Sequence, residues 1–442
     1  MSQVLHRSLA RRPPIVTHGE GVWMHLADGR AILDASGGPA VVCLGYGNTR
    51  VAEAIGAQAL KMPYSNTMTF SSEPAEALAE LLVGDRPGGL THAFFVSSGS
   101  AAMEAALKLA RQYMVERGQA ERVHFISRRQ SYHGNFLGSL AASGQAKRRA
   151  LYEAILPPHF SQVSPCFAFR YRQDGEDDTG YVARLAAELE AEFQRIGPDR
   201  VIAFVAETVV GATAGCVTAL PGYFGAMREV CDRHGALLIL DEIMCGMGRT
   251  GTTHAWEQEG VTPDIQAIAK GLGGGYASIG GILIAGHVID ALAAGTGGFV
   301  HGQTYQAHPV GCAAALEVQR IIREEALVAR AQRLGTVLET RLREQFDRHP
   351  FVGDIRGRGL FWALEFVEDR ATSRAFDPEQ GVAERVKEAG LQQGVGVYVN
   401  NGVIDGTAGD CAIISPPYIV TEDEIDLAVK RLGRAVDTAL GT

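Results

Sequence analysis

Two neighbouring stretches of the chain decide its fold: LLILDEIMCGMGRTG at 237–251 and PDIQAIAKGLGGGY at 263–276. Each contains a short, mostly apolar run that ends on a charged residue, residues 237–240 before Asp241 and residues 265–269 before Lys270. Apolar runs of this length are typical of strands that are buried on both faces. The two stretches therefore predict adjacent parallel strands that place a carboxylate and an amine at the same edge of a sheet.

Three more apolar runs end on polar or small residues in the same way. They are residues 92–96 before Ser97-Ser98-Gly99-Ser100, 122–127 before Ser131-Tyr132-His133-Gly134, and 201–206 before Glu207. Ligands of open α/β sheets bind outside the carboxyl ends of the strands, so these run ends predict one shared pocket. Helical stretches around 183–194 and 311–346 accompany the runs, which is the α/β pattern.

The alternation of strands and helices is confined to the middle of the chain. We therefore predict an α/β fold with a large domain over residues 71–320, built on a mostly parallel seven-stranded type of sheet flanked by helices. Residues 1–70 and 321–442 are expected to form one smaller α+β domain from both chain ends. Within the first of these segments, residues 21–34 read as a hairpin that turns at Asp28-Gly29.

Composition excludes several classes of protein. The 442 residues are 46% hydrophobic and carry 41 basic against 50 acidic side chains, a net charge of −9 with no basic face, which argues against nucleic-acid binding. No apolar run reaches 18 residues and the N-terminus lacks a secretory apolar segment, so neither membrane insertion nor export is predicted. The seven scattered cysteines favour the cytoplasm and argue against a structural metal site.

The charged run ends indicate a particular chemistry. A lysine at a strand end inside a glycine loop is partly desolvated, which favours the neutral amine and Schiff-base formation. Asp241 ends a buried strand and needs a cationic partner, and the protonated ring nitrogen of pyridoxal 5′-phosphate (PLP) is such a partner. Ser98-Gly99-Ser100 opens a predicted helix over 101–116, whose N-terminus attracts a phosphate.

Each of these residues also has an ordinary structural explanation. Lys270 alone reads as a solvated turn lysine, Ser98 as a common helix cap and Tyr132 as a core tyrosine. Gly246-Met247-Gly248-Arg249-Thr250-Gly251 matches the G-x-G-x-x-G dinucleotide pattern, but no suitable helix follows it. The pairing of Asp241 with Lys270 is what favours PLP over these alternatives.

Beyond these single residues, the chain resembles the class III aminotransferases, PLP enzymes of the aspartate aminotransferase fold (fold type I). The resemblance runs from about residue 21 to about residue 431. Besides the two stretches already quoted, it is carried by VSSGSAAMEAALKLAR, SYHGN, AETVVGA and HGQTYQAHPVGCAAALE, which occur in the family's order. It implies PLP as the cofactor and a homodimer, or a dimer of dimers, with shared active sites.

The resemblance also implies a role for individual residues. Lys270 would form the Schiff base and move the proton, Asp241 would hold the ring nitrogen, and Glu207 would lie near substrate and ring. The remaining implied cofactor contacts comprise the phosphate cradle, the residues beside the ring, and a threonine that reaches the phosphate from the neighbouring subunit. In that order they are Ser98, Gly99 and Ser100, then Tyr132, His133 and Ile243, then Thr304.

Two departures from the family pattern bear on the substrate. Met244 stands where many members have glutamine, and an apolar residue there is usual in the subgroup that acts on ω-amino acids and amines with pyruvate. Ile413 stands where members specific for 2-oxoglutarate or dialkylglycine often have arginine, and no arginine occurs between Arg385 and Arg431. A carboxylate-binding arginine must therefore come from elsewhere, or the donor needs none.

The predicted activity is transfer of an amino group from an ω-amino acid or amine to a 2-oxo acid, with pyruvate favoured. Its mechanism is ping-pong, through a Lys270 aldimine. The alternative is a PLP-dependent isomerase, an aminomutase or a racemase, because the same residues serve both reactions.

Overall fold

The computed structural model of the protein describes residues 2–10 and 12–442. The strands in this part of the chain are β1 (Val16–Glu20), β2 (Trp23–Leu26), β3 (Ala31–Asp34), β4 (Leu90–Val96), β5 (His124–Arg128), β6 (Phe160–Val163), β7 (Val201–Glu207), β8 (Val209–Val210), β9 (Val217–Thr218), β10 (Leu237–Asp241), β11 (Ile265–Ile268), β12 (Gly280–Ala285), β13 (Val352–Arg358), β14 (Phe361–Phe366), β15 (Val395–Gly396), β16 (Tyr398–Asn401) and β17 (Asp410–Ile414).

The helices connect and cover these strands. They are α1 (Gly37–Ala40), α2 (Thr49–Lys61), α3 (Glu73–Val83), α4 (Gly99–Glu116), α5 (Leu137–Ala142), α6 (Ala146–Arg149), α7 (Ala168–Tyr171), α8 (Asp178–Ile196), α9 (Tyr223–Arg233), α10 (Gly286–Ala294), α11 (Pro309–Glu324), α12 (Leu327–Phe346), α13 (Val382–Gln392) and α14 (Glu422–Leu440). Short 3₁₀ helices cover Pro87–Gly89, Glu153–Ile155, Pro198–Arg200, Ala255–Glu259, Lys270–Leu272 and Pro378–Gln380.

A seven-stranded sheet forms the centre of the molecule, in the order β4-β12-β11-β10-β7-β5-β6. Every neighbouring pair is parallel except the two that involve β12, which runs antiparallel to β4 and to β11. The predicted α/β class with a mostly parallel sheet is therefore confirmed. Because β12 reverses direction between two strands that run the same way, the carboxyl end of β4 lies at the same edge as those of β11, β10, β7 and β5.

Both faces of this sheet are buried under helices, which explains the continuous apolar runs. Leu237 and Ile239 of β10 pack into the apolar cluster that contains α4. The alternate residues Leu238 and Leu240 pack into the cluster on the other face, with α8, α9 and α11. A strand with two apolar faces cannot alternate with polar residues, so its sequence reads as an unbroken hydrophobic run.

Two strands of the central sheet are not among the predicted runs. β12 follows the glycine-rich segment after Lys270 and starts with two glycines itself, so its apolar run reads as part of the loop. β6 is an edge strand of four residues and is only partly buried. Neither strand ends in a charged or polar residue, since β6 ends at Val163 and β12 ends at Ala285.

The smaller sheets are built from both ends of the chain. One has the order β1-β2-β3-β15 and the other β13-β14-β17-β16. β2 and β3 form the predicted hairpin, with Gly29 at a positive φ in its turn, and β3 pairs in parallel with β15 through Leu33 and Val395. The domain boundaries at residues 70 and 320 stay predictions, and residue 320 falls inside α11.

The stretch that matches the dinucleotide pattern has a structural role instead of a nucleotide-binding one. Residues 244–251 form successive turns rather than a phosphate loop that opens a helix. The guanidinium of buried Arg249 donates to the carbonyl oxygens of Val42, Leu360 and Pro416 and lies over the ring of Tyr418. Arg249 therefore ties segments from both chain ends to the central sheet.

Three further properties concern the described part of the chain. No helix in residues 2–10 and 12–442 has the length and apolar character needed to cross a bilayer. No group of three or more histidine, cysteine, aspartate or glutamate residues in those segments is arranged to hold a metal ion. All seven cysteines are buried free thiols.

Candidate active site

A cavity of about 290 Å³ opens at the carboxyl edge of the central sheet. Nine residues predicted from the sequence line it, namely Ser98, Gly99, Ser100, Tyr132, His133, Glu207, Asp241, Ile243 and Lys270. The remaining lining residues are Val41, Ser97, Gly134, Val209, Ala212, Met244, Ala269, Ala277, Ser278 and Ile279. The strand ends thus form one pocket, as their positions in the sequence predict.

Lys270 is separated from the end of β11 by Ala269 alone, and it begins a 3₁₀ helix. Its φ of 44° lies in the left-handed region, which residues with a Cβ rarely adopt, so the surrounding structure must hold it there. The buried side chain of Gln319 donates from Nε2 to the carbonyl oxygens of Gly271 and Leu272, both at 3.0 Å. Gln319 thereby fixes the turn that directs the Lys270 amine into the cavity.

The electrostatic surroundings of Lys270 favour a reactive amine. Burial lowers the pKa of Lys270 to about 8, and the negative charges of Asp241 and Glu207 offset part of that effect. The unprotonated amine is the form that attacks a carbonyl carbon. Lys270 is therefore prepared for Schiff-base chemistry near neutral pH.

The rate at which the apoenzyme captures PLP should follow this pKa. The rate should rise with pH through a midpoint near 8, because the ammonium form below that pH cannot attack the aldehyde. Stopped-flow absorbance of the apoenzyme mixed with PLP at a series of pH values measures the midpoint. A midpoint near 10.5, the value of an ordinary lysine, would contradict the assigned environment.

Asp241 ends β10 and is only 4% exposed. Its Oδ2 lies 2.8 Å from Nδ1 of His133, and its Oδ1 accepts a 3.0 Å bond from the backbone N–H of Ile243. His133 is itself fixed, because its backbone N–H donates to Ser143 Oγ at 2.8 Å. The arrangement holds a carboxylate in one orientation on the cavity wall, without a lysine or arginine ion-pair partner among the described residues.

Glu207 lies beside Asp241, since the two residues pair in the parallel register of β7 and β10. Its Oε1 accepts from the backbone N–H of Tyr132 at 3.0 Å and its Oε2 from that of Gly211 at 2.9 Å. Burial raises the pKa of Glu207, with His133 opposing this shift and Asp241 adding to it. Two buried acids therefore face the same cavity, and the pKa of Glu207 is raised.

The N-terminus of α4 forms another wall. Ser98 caps this 18-residue helix, with Oγ accepting from the backbone N–H of Ala101 at 3.1 Å. The helix starts at Gly99, two residues before the predicted start, because the cap itself is Ser98. A Cβ on Gly99 would lie 3.0 Å from the Ile243 side chain, which is tighter than an ordinary contact. The free N–H groups of the first turn suit an anion.

Several contributing residues are missing from the sequence prediction. Ser278 donates from Oγ to the carbonyl oxygen of Ser97 at 2.7 Å and so closes the cavity between β4 and β12. The guanidinium carbon of Arg148 lies 4.9 Å from the centre of the Tyr132 ring. Gln319 and Arg148 lie outside the quoted motifs, and the fold brings them to the site.

Thr304 occupies a different place from the other nine residues. It lies in an exposed turn outside the cavity. Its implied contact with the phosphate of a neighbouring subunit therefore stays a prediction.

The residues present fit PLP. Asp241 is a buried carboxylate without a lysine or arginine partner among the described residues, as a protonated ring nitrogen requires. The open N-terminus of α4 suits a phosphate, and the Lys270 amine has a lowered pKa. Tyr132 and Ile243 offer flat and aliphatic surfaces for a ring.

Comparison with known proteins identifies the class of enzyme. The family model of class-III aminotransferases matches residues 7–436, so the chain belongs to that family. Its members are PLP-dependent enzymes, which confirms the predicted family, fold type and cofactor.

The chain is similar over nearly its whole length to particular aminotransferases. An uncharacterized aminotransferase of Schizosaccharomyces pombe is 49% identical over 437 residues, with 99% of this chain and 95% of that protein covered. The diaminobutyrate–2-oxoglutarate transaminase of Halomonas elongata is 35% identical to this chain, and the putrescine–pyruvate aminotransferase of Pseudomonas aeruginosa is 33% identical. Each of these two alignments covers 96% of this chain and 90% of the relative.

Solved structures agree with these relatives. The ω-transaminase of Pseudomonas jessenii in complex with PMP superimposes with a TM-score of 0.93 at 30% identity, covering 100% of this chain and 97% of that one. An (S)-enantioselective ω-transaminase from Thermomicrobium roseum superimposes with a TM-score of 0.89 at 35% identity, and the match covers 97% of this chain and 93% of that one.

Proposed function

We propose that the protein transfers an amino group from an ω-amino acid or amine donor to a 2-oxo acid, with pyruvate as the acceptor. The observation that carries the proposal is one cavity that combines Lys270, whose pKa is lowered, with the two buried acids Asp241 and Glu207. The similarity to ω-transaminases supports it.

In this reaction the bound cofactor would supply an electron sink conjugated to the donor's Cα. Lys270 removes the proton from that carbon of the donor, and during the second half of the cycle it delivers a proton to the carbonyl carbon of the 2-oxo acid as that carbon becomes the Cα of the new amino acid. Asp241 holds a proton on the ring nitrogen, and His133 keeps the Asp241 carboxylate in place through the 2.8 Å contact. The order is ping-pong, because the carbonyl product of the donor leaves before the 2-oxo acid binds.

The assigned substrates rest on two arguments. The names of two relatives state their donors and acceptors: diaminobutyrate with 2-oxoglutarate in one, and putrescine with pyruvate in the other. Both donors carry a primary amine at the end of a short chain. Met244 adds an apolar surface to the cavity at the position where many family members have glutamine. An apolar wall suits the methylene chain of such a donor.

A panel of ω-amino acids and amines, each tested with pyruvate and with 2-oxoglutarate, decides the function. Transamination requires a new carbonyl compound and a new amino acid in equal amounts, formed only when the 2-oxo acid is present. Product formed from the donor without any acceptor would instead identify the isomerase.

The proposal includes a homodimer with shared active sites. Large apolar side chains are exposed on residues 60–70 and 300–305, with Leu60 at 91% and Met68 at 93%. The rings of Tyr64 and Tyr305 meet edge to face at 6.1 Å, so the two segments share one surface beside Thr304. An apolar surface of this kind is typical of a subunit interface.

Sedimentation velocity should therefore give twice the 47.2 kDa mass of one chain.

Thr304→Val should weaken PLP binding by roughly tenfold through loss of one hydrogen bond to a charged phosphate, without a change in the mass of the oligomer. Thr340→Val is the matched control, because Thr340 bonds only within α12. A monomer with full activity would contradict the shared site.

The cytoplasmic location stays a prediction from the cysteine pattern.

A further inference from the structure

The position where related enzymes place a carboxylate-binding arginine is closed to a charge in this protein. Ile413 of β17 is 0% exposed and packs in an apolar cluster with Ala40, Met244 and Phe361. A guanidinium there would lose its hydration without gaining a partner. Recognition of a substrate carboxylate therefore requires a cation on another wall of the site.

Three nearby cations are already engaged, whereas Arg7 of the N-terminal segment acts on Tyr132 through its charge. Lys270 is the one lysine or arginine among the described residues that line the cavity, and its amine takes part in the reaction itself. Arg128 is buried and donates to the backbone carbonyl of Glu207. Arg249 is buried and donates to three backbone carbonyls. None of these three side chains is available to a substrate carboxylate.

Arg148 differs from them. Its guanidinium carbon lies 4.9 Å from the centre of the Tyr132 ring, and Tyr132 lines the cavity. Its Nε donates to Oε1 of Gln145 at 2.6 Å, which orients the half-buried guanidinium. Its two terminal nitrogens have no hydrogen-bond or ion-pair partner in residues 2–10 and 12–442.

The two neighbouring basic side chains, unlike Arg148, have partners for their charged groups. Arg149 is engaged with the carbonyl oxygens of Ala141 and Ser143 and with the carboxylate of Glu153. Lys147 is exposed and donates to Asn401 Oδ1 at 3.1 Å. Of the three consecutive cations on α6, Arg148 alone presents free donors beside an aromatic wall of the cavity, within the described part of the chain.

We propose that Arg148 binds the distal carboxylate of an ω-amino acid donor, and that the protein thereby prefers such donors over amines without a carboxylate. This inference rests on the proposed transaminase function. Arginine is suited to the role because two N–H groups can pair with both carboxylate oxygens. The hydroxyl of Tyr132, which has no hydrogen-bond partner among the described residues, supplies a further donor.

The position of Arg148 determines which carboxylate it can reach. Arg148 is not part of the cavity lining, and the Tyr132 ring is the cavity residue that it contacts. A carboxylate at Arg148 must then be several bonds away from the reacting carbon beside Lys270. That spacing fits an amino acid whose amine and carboxylate are at opposite ends of a methylene chain.

The test compares matched donors on the holoenzyme. The ω-amino acids from β-alanine to 6-aminohexanoate are each paired with the alkylamine of the same chain length, and kcat and KM are measured with pyruvate. In Arg148→Met, KM for the ω-amino acids should rise on the order of 10- to 100-fold, as expected for loss of a charge-assisted pair, with kcat nearly unchanged. KM for the alkylamines should stay within about twofold, because these donors make no such pair.

Two further variants make the result specific. Arg148→Lys keeps the charge and should recover part of the lost affinity, while Lys147→Met removes a neighbouring charge and should leave both donor classes unaffected. An equal loss for both classes, no loss for either, or a wild type that accepts only amines would each overturn the inference and leave the transaminase intact. Failure of every donor with the wild type would contradict the proposed function itself.

Discussion

Replacement of Lys270 by alanine should abolish turnover. The variant lacks both the amine that forms the Schiff base and the group that moves the proton at the donor's Cα. Because a positioned proton-transfer group alone contributes about 10²–10⁴-fold, we expect kcat to fall by at least roughly 10³-fold. Steady-state rates with any accepted donor and pyruvate measure the loss.

A chemical label separates this role from a loss of structure. Borohydride reduction of the wild-type holoenzyme should leave a phosphopyridoxyl group on Lys270, which peptide mass spectrometry detects, and the alanine variant should carry none. Lys108→Ala, at an exposed lysine of α4, is the matched control and should keep both label and rate. Undiminished turnover in Lys270→Ala, or a label on another lysine, would refute the assignment.

Replacement of Asp241 by asparagine should have the second largest effect. The amide preserves the shape of the side chain, but it cannot hold a proton on the ring nitrogen by charge. Loss of one preorganised electrostatic group typically reduces kcat by about 10²–10³-fold, and we expect a loss of that size here. The same substitution should weaken PLP binding, which a cofactor titration measures.

Asp264 provides the matched control for Asp241. It is also a buried aspartate next to β10, but it lies at the opposite edge of the sheet, where it binds Arg228 and the backbone N–H of Leu238. Asp264→Asn should lower the melting temperature, because it breaks a buried ion pair, while kcat of the folded enzyme changes by no more than about twofold. A small effect of Asp241→Asn on kcat would assign the ring nitrogen to another acid.

The carboxyl edge of the central sheet could be predicted because each of its strands carries a local signal. β10 and β11 are buried on both faces, so their sequences are apolar apart from Gln266 in β11, and the charged residue that ends each run must lie at the sheet edge. Asp241, Glu207 and Lys270 are found in this way. The N-terminus of α4 is found because a serine cap precedes a helical pattern.

Other parts of the site have no local signal. Arg148 and Gln319 act through contacts with residues outside their own helices, and isolated polar side chains on helices are ordinarily solvated. β12 resembles a loop because glycines precede and begin it, although close approach of β4 is what requires small residues there. The sequence shows that Ile413 departs from the family pattern, but only the structure shows that it is buried among apolar side chains.

The pairing of β3 with β15 has a consequence for synthesis on the ribosome. Leu33 and Val395 are neighbours in one sheet, although about 360 residues separate them in the chain. At translation rates of about 5–20 residues per second, the N-terminal strands wait roughly 20–70 s for their partner. During that time β3 has an unpaired edge, which is the kind of surface that associates with other chains. The nascent protein is therefore most exposed to aggregation before β15 emerges.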